Sequence, residues 1–288
     1  MQTINDAELA IRVGMALDRD APALEALHGG MVGEVYLARW TQDRAVIKVD
    51  RRERPQLAIE GMMLGYLARE SELPVPALLH VADDLLIMQH LPGTSQFNVA
   101  AEQHAAKLLA DLHAVTGPAC GFESDTLIGL FPQPNGWTSS WVAFFGERRL
   151  YHLAQLAVDR GAMPLSMLKR VDALIQRLDQ LIDEPAAPAL VHGDIWTSNL
   201  LADDDCITGC LDPAIYYGHP EVELAYIALF HSFGEPFFQR YHELSPIAAG
   251  FFEERMDVYQ LYPLLSHICH FGGHYVDSTA QKLTRLGF

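Results

Sequence analysis

Residues 192–199 read His192-Gly193-Asp194-Ile195-Trp196-Thr197-Ser198-Asn199, and an aspartate follows at 212. Asn199 lies five residues beyond Asp194, and Asp212 thirteen beyond Asn199. Phosphoryl transfer needs a carboxylate that accepts or orients a hydroxyl proton. It also needs an amide oxygen and a second carboxylate that hold Mg²⁺ against a polyphosphate. In that assignment Asp194 is the base, Asn199 and Asp212 are the metal ligands, and His192 braces the loop by hydrogen bonds. A capped polar turn explains any one of these residues, but not the three-part spacing.

A second group lies upstream. His28-Gly29-Gly30-Met31-Val32-Gly33 is a glycine-bearing turn between two strand-like runs. Its backbone amides at Gly29, Gly30 and Gly33 can approach phosphate closely because glycine has no Cβ. Lys48 follows within the apolar run Ala45–Val49, where a lysine ordinarily points to solvent. With the glycine turn before it and Glu60 on the next helical segment, it reads as the cation that grips the α/β-phosphates, oriented by an ion pair with Glu60.

These residues need elements to hold them. The periodicity predicts a helix over 4–17, strands over 26–28, 34–40 and 45–49, a helix over 57–69 and a hairpin joining 75–81 to 85–89. After Leu91-Pro92-Gly93 the texture becomes helical, with helices over 99–115 and 137–160 and another from Pro164. A short strand over 189–191 then leads into a hairpin from Asn199 that turns at Asp203-Asp204-Asp205 and returns to Leu211. That hairpin carries Asn199 and Asp212 to one end of a two-stranded ladder. The expected architecture is α+β in two lobes: a small lobe over 1–91 with an antiparallel sheet, ending in a hinge at 88–91, and a large, mostly helical lobe over 92–288.

The order of glycine loop, strand lysine, helix glutamate, hinge, HGD loop and metal aspartate resembles the protein-kinase-like fold. The resemblance implies that the backbone of Met88, Gln89, His90 and Leu91 meets the adenine of ATP. An HGD triplet resembles small-molecule kinases of the aminoglycoside phosphotransferase and choline kinase group. Four longer words, HGDIWTSN (192–199), LDPAIYYGHPEVELAY (211–226), IGLFPQPNGWTSSWVAFFGERRL (128–150) and RMDVYQLYPLLSHICHFGGHYV (255–276), are similar to the fructosamine kinase (ketosamine-3-kinase) family over nearly the whole chain. That resemblance implies ATP- and Mg²⁺-dependent phosphorylation of the third hydroxyl of a ketosamine sugar, free or attached to protein. The product then loses phosphate and the sugar fragment, freeing the amine. Two positions depart from the family's usual string: Pro220 stands where Arg is common, and Glu223 where Asp is common.

Acceptor choice has several candidates. Trp196, two residues past the base, either forms a stacking wall for the acceptor or packs under the loop as core. Gln133, Asn135, Trp137 and Trp141 lie in a Pro/Gly-containing segment suited to recognition or to packing. His219 either touches the acceptor or braces the metal loop. His270 and His274 are four apart, but without an HExxH glutamate they read as helix packing rather than a metal site.

Composition limits the alternatives. The chain has 288 residues and a formal net charge of −17, which disfavours nucleic acid and anionic lipid as partners. Residues 1–91 carry −5 of this and residues 92–288 carry −12. The acidity therefore gathers where an amine-bearing acceptor would dock. Four scattered cysteines, the absence of a signal-like N-terminus and the absence of a long apolar run point to a reducing, cytoplasmic setting. The competing readings are an aminoglycoside- or choline-type phosphotransferase and a non-catalytic nucleotide-binding scaffold. Intact Lys48, Asp194, Asn199 and Asp212 argue against the scaffold.

Overall fold

The computed structural model describes residues 6–27 and 33–288. Its first part is built on a five-stranded antiparallel sheet: β1 (Ala23–Leu27), β2 (Glu34–Arg39), β3 (Arg44–Val49), β4 (Leu78–Val81) and β5 (Leu85–Gln89), in the order β1-β2-β3-β5-β4. Alternation along β3 sorts its side chains between two faces. Ala45, Ile47 and Val49 join Leu85 and Ile87 against Leu9 and Val13 of helix α1 (Asp6–Leu17). Leu86 and Met88 face Leu57 and Leu64 of helix α2 (Leu57–Glu70). Lys48 pairs with Leu86 across the ladder and so shares the α2 face.

Beyond β5 the chain is mainly helical. Helix α3 (Val99–His113) is capped by Asn98, whose side chain accepts the amide of Ala101. A hairpin of β6 (Thr126–Ile128) and β7 (Phe131–Gln133) follows. Next comes a continuous helical rod: α4 (Trp141–Phe144), a widened π-helical stretch (Phe145–Tyr151) and α5 (His152–Asp159). The rod begins at Trp141, not at Trp137 as the periodicity suggested. Ser140 caps it, and the Glu184 carboxylate accepts the amides of Trp141 and Val142. Residues before it are drawn into extended backbone by a bridge between Cys120 and Thr138.

Helix α6 (Leu165–Ile175) leads to β8 (Ala189–Val191), the hairpin β9 (Leu200–Asp203)–β10 (Cys206–Cys210), and β11 (Tyr216–Gly218), which pairs with β8. Helices α7 (Glu221–Phe230), α8 (Glu235–Leu244), α9 (Met256–Tyr259), α10 (Leu261–Phe271) and α11 (His274–Arg285) complete the chain. His270 and His274 belong to different helices because α10 ends at Gly272, so their spacing is not one helical turn. The continuous core of this part runs from Leu109 through Trp141 and Val191 to Leu265. No helix among the described residues is long and apolar enough to cross a membrane.

Candidate active site

The base candidate sits at the end of β8. Asp194 is buried, and both of its carboxylate oxygens are engaged. The amide nitrogen of Asn199 donates to Oδ2 at 2.8 Å and to the Asp194 carbonyl at 3.0 Å, and the Tyr226 hydroxyl donates to Oδ1. Burial pushes the carboxyl up to about 7, the Tyr226 hydrogen bond opposes that rise, and the nearby Asp212 charge adds to it.

The loop around Asp194 is held through its own backbone amides and a close backbone contact at Gly193. Gly193 adopts φ +84°, and a Cβ there would collide with the Ala214 carbonyl oxygen, so the position accepts only glycine. His192 is fully buried, and its Nδ1 accepts the Asp194 amide at 3.3 Å, which is the bracing role expected of it. Burial lowers its pKa, so the ring stays neutral. Glu223, on α7, accepts the Gly193 amide at 2.6 Å and the His192 amide at 3.3 Å, so the longer side chain still reaches the loop. His113 of α3 closes the other side, 2.9 Å from Glu223 through Nε2 and 2.7 Å from the Tyr241 hydroxyl through Nδ1. Burial alone would raise Glu223, but the hydrogen bond and charge of His113 outweigh it and lower the carboxyl.

The hairpin returns the metal candidates to one place. Cys210 pairs with Leu200, and the Leu211 amide donates to the Asn199 carbonyl at 2.8 Å, so Asn199 and Asp212 flank the open end of the ladder. Both contacts that Asn199 makes to Asp194 use its amide nitrogen, which leaves the amide oxygen for a cation. Asp212 has φ +53°, a left-handed conformation that costs a non-glycine residue about 1 kcal/mol. Its carboxylate contacts the ammonium of Lys48, which also donates to Glu60 at 2.6 Å. Burial would lower the lysine's pKa, but Asp212 and Glu60 outweigh it and raise it. An amide oxygen beside a carboxylate is a hard-oxygen donor set suited to Mg²⁺.

A cleft of about 540 Å³ opens beside these groups. Lys48, Glu60, Thr197, Ser198 and Asp212 line one part, and Met88, Gln89, His90 and Leu91 another. Gly33 has φ +73° and its Cα lies against the Val49 carbonyl. Gly29 and Gly30 fall outside the described residues.

The acceptor candidates divide. Trp196 is half-buried against Phe230 and His267, and its Nε1, like His267 Nε2, is buried with no hydrogen-bond partner among the described residues. Gln133, Asn135 and Trp141 are buried. Gln133 donates to Thr126 and Ala214, Asn135 to Ser124 and Thr126, and Trp141 to Tyr259, all inside the protein. None of the three presents a polar group to solvent; they build the wall behind the Asp212 segment. His219 accepts the Glu221 amide at 3.2 Å and packs on Trp141 and Tyr259, bracing the start of α7.

Sequence reasoning assigned no role to Tyr226, His113, Tyr262 or Arg149. Tyr226, Arg149 and Tyr262 lay within family-like words that gave them no separate role, whereas His113 acts through long-range contacts that no local spacing announces. Arg149 is wholly buried between the faces of Tyr216 and Phe144 and donates to Asn135 and the Pro134 carbonyl.

Known proteins resemble this chain over most of its length. The family model for fructosamine kinase matches residues 13–287. A protein described as a probable ketoamine kinase of Synechocystis sp. is 33% identical over 268 residues, covering 90% of this chain and 88% of the relative. The chloroplastic protein-ribulosamine 3-kinase of Arabidopsis thaliana is 35% identical over 246 residues, covering 81% and 72%. A crystal structure assigned as a fructosamine-3-kinase from Thermobifida fusca superimposes with a TM-score of 0.85 at 29% identity, covering 97% of this chain and 99% of that one. An aminoglycoside phosphotransferase bound to ADP and hygromycin B shares the fold, with a TM-score of 0.68 at 16% identity over 96% and 97% of the two chains.

Proposed function

The chain belongs to the fructosamine kinase family, and from that premise we propose that it transfers the terminal phosphoryl group of ATP to a ketosamine, at the hydroxyl of the third sugar carbon. The observation that carries this reading is the convergence of buried Asp194 and Asn199, bonded to each other, with the ion-paired Asp212 and Lys48 that line the cleft. The nucleotide-binding lobe is taken to end at Leu91, with residues 88–91 as the hinge that meets adenine. Residues 92–288 then form the lobe that carries the base and receives the acceptor.

Lys48, oriented by Glu60, holds the phosphates by charge. Asn199 and Asp212 would hold Mg²⁺, which when bound neutralises charge developing on the phosphoryl oxygens. Asp194 takes the proton of the acceptor hydroxyl as its oxygen bonds to phosphorus and the bond to the bridging oxygen of the leaving diphosphate breaks. Tyr226 and Asn199 keep that carboxylate from rotating away. The name of the Arabidopsis relative supports protein-attached ribulosamines as acceptors beside small-molecule ones.

The test is ATP consumption with Mg²⁺ across ribulosamines, erythrulosamines, fructosamines, choline and aminoglycosides. Turnover of the ketosamines is expected. Turnover confined to choline or aminoglycosides would overturn the proposal.

A further inference from the structure

The carboxylate assigned to the cation sits on backbone that a single buried amide fixes from behind. We infer that Gln133 is a positioning residue for Asp212, acting through the Ala214 carbonyl, and that it sets the affinity for the divalent cation. This rests on the assignment of Asn199 and Asp212 as the cation's ligands.

Gln133 ends β7 and is 2% exposed. Both of its donors and its amide oxygen are engaged: Nε2 donates to the Ala214 carbonyl and to Thr126 Oγ1, both at 2.9 Å, and Oε1 accepts the Tyr262 hydroxyl. The Ala214 oxygen can only accept, so the amide nitrogen must face it and the orientation of the side chain is forced. Thr126, at the start of β6, donates in turn to the Ile215 carbonyl at 3.3 Å. Two side chains of one hairpin thus grip two consecutive carbonyls just beyond Asp212.

That grip reaches Asp212 because the intervening residue is Pro213, whose ring locks φ and leaves little slack. Upstream, the Leu211 amide is tied to Asn199, and downstream the Ala214 amide is tied to the His192 carbonyl at 2.7 Å. The Ala214 oxygen packs against Gly193, so it cannot shift without displacing the loop that carries Asp194. Asp212 is held in its left-handed conformation from both sides, and Gln133 is the side chain that holds the Ala214 end. Groups that orient metal ligands tune the affinity, and losing one typically costs about 10–100-fold.

The experiment compares native protein with Gln133→Met, Tyr262→Phe and, as control, Asp212→Asn. Free Mn²⁺ is measured by EPR during titration of ADP-saturated protein, and ADP binding is measured separately by calorimetry in EDTA. Gln133→Met is expected to weaken Mn²⁺ by about tenfold, while cation-free ADP binding stays within about twofold of native. Tyr262→Phe, which removes only the anchor on Oε1, should weaken Mn²⁺ less and carries the test alone if Gln133→Met does not fold. Native Mn²⁺ affinity in the foldable variants, or equal weakening of Mn²⁺ and cation-free ADP, would overturn the inference while Asp212→Asn still loses Mn²⁺. If Asp212→Asn also binds Mn²⁺ normally, the ligand assignment fails and the inference falls with it.

Discussion

The ammonium of Lys48 bridges Glu60 and Asp212, so the lysine assigned to the phosphates also touches the carboxylate assigned to the cation. This one contact joins the sheet to the catalytic hairpin across the cleft. A bound nucleotide and its cation must share these charges, which couples their binding.

Replacing Lys48 by Met should therefore weaken ATP by at least roughly tenfold and depress turnover by orders of magnitude. Lys48→Arg should not restore either, because a planar fork cannot stand in for a compact charge between two carboxylates. Calorimetric titration with ATP, with and without Mg²⁺, separates the effects.

Asp194→Asn keeps the shape of the loop but removes the proton acceptor. Turnover should fall by about three orders of magnitude or more, with nucleotide affinity within a few-fold of native. Unchanged turnover would remove Asp194 from the role of base.

Tyr226→Phe tests how that base is tuned. The Tyr226 hydrogen bond holds the Asp194 carboxyl down against burial. Its loss should raise the pKa further, so that the acidic limb of kcat/KM, where activity falls as Asp194 becomes protonated, moves to higher pH. A pH–rate profile at saturating ATP reads the shift.

Glu223 predicts acid lability. Its folded pKa lies below the ordinary 4.5, so its contribution is present above that value and is lost as pH falls through the folded pKa. Glu223→Gln should cost on the order of 1–3 kcal/mol near neutrality, by removing the charge that accepts from His113 and from the loop amides. The difference from native should shrink on acidification. Urea unfolding at several pH values measures both.

His267 acts over a higher window. Burial depresses it from 6.5 to about 4, so the unfolded chain takes up a proton that the folded one refuses. Stability from this site is full above 6.5 and declines as pH drops toward 4, by about 3 kcal/mol in total. In His267→Phe the slope of stability against pH should flatten between those limits.

The reactive core was legible because short-range rules place it. The strand period puts Lys48 on the α2 face, and a hairpin of known length brings Asn199 beside Asp212. What stayed hidden depends on distant chain. The rod's start at Trp141 needs Glu184, and the anchoring of Glu223 needs His113. Gln133 and Asn135 lie in a Pro/Gly-containing segment suited to recognition or to packing, and only tertiary contacts choose between the two. Tertiary packing turned those amides inward, where carbonyls and Thr126 satisfy them.

The contact between Gly193 and the Ala214 carbonyl carries a consequence for how such an enzyme can diverge. Peptide groups set part of the spacing between the two segments, since the Ala214 amide donates to the His192 carbonyl and the Leu211 amide to the Asn199 carbonyl. Side chains on the aromatic wall formed by Trp196, Phe230 and His267 take no part in those contacts. They can change without altering the peptide contacts that set the spacing between the Asp194 loop and the Asp212 segment.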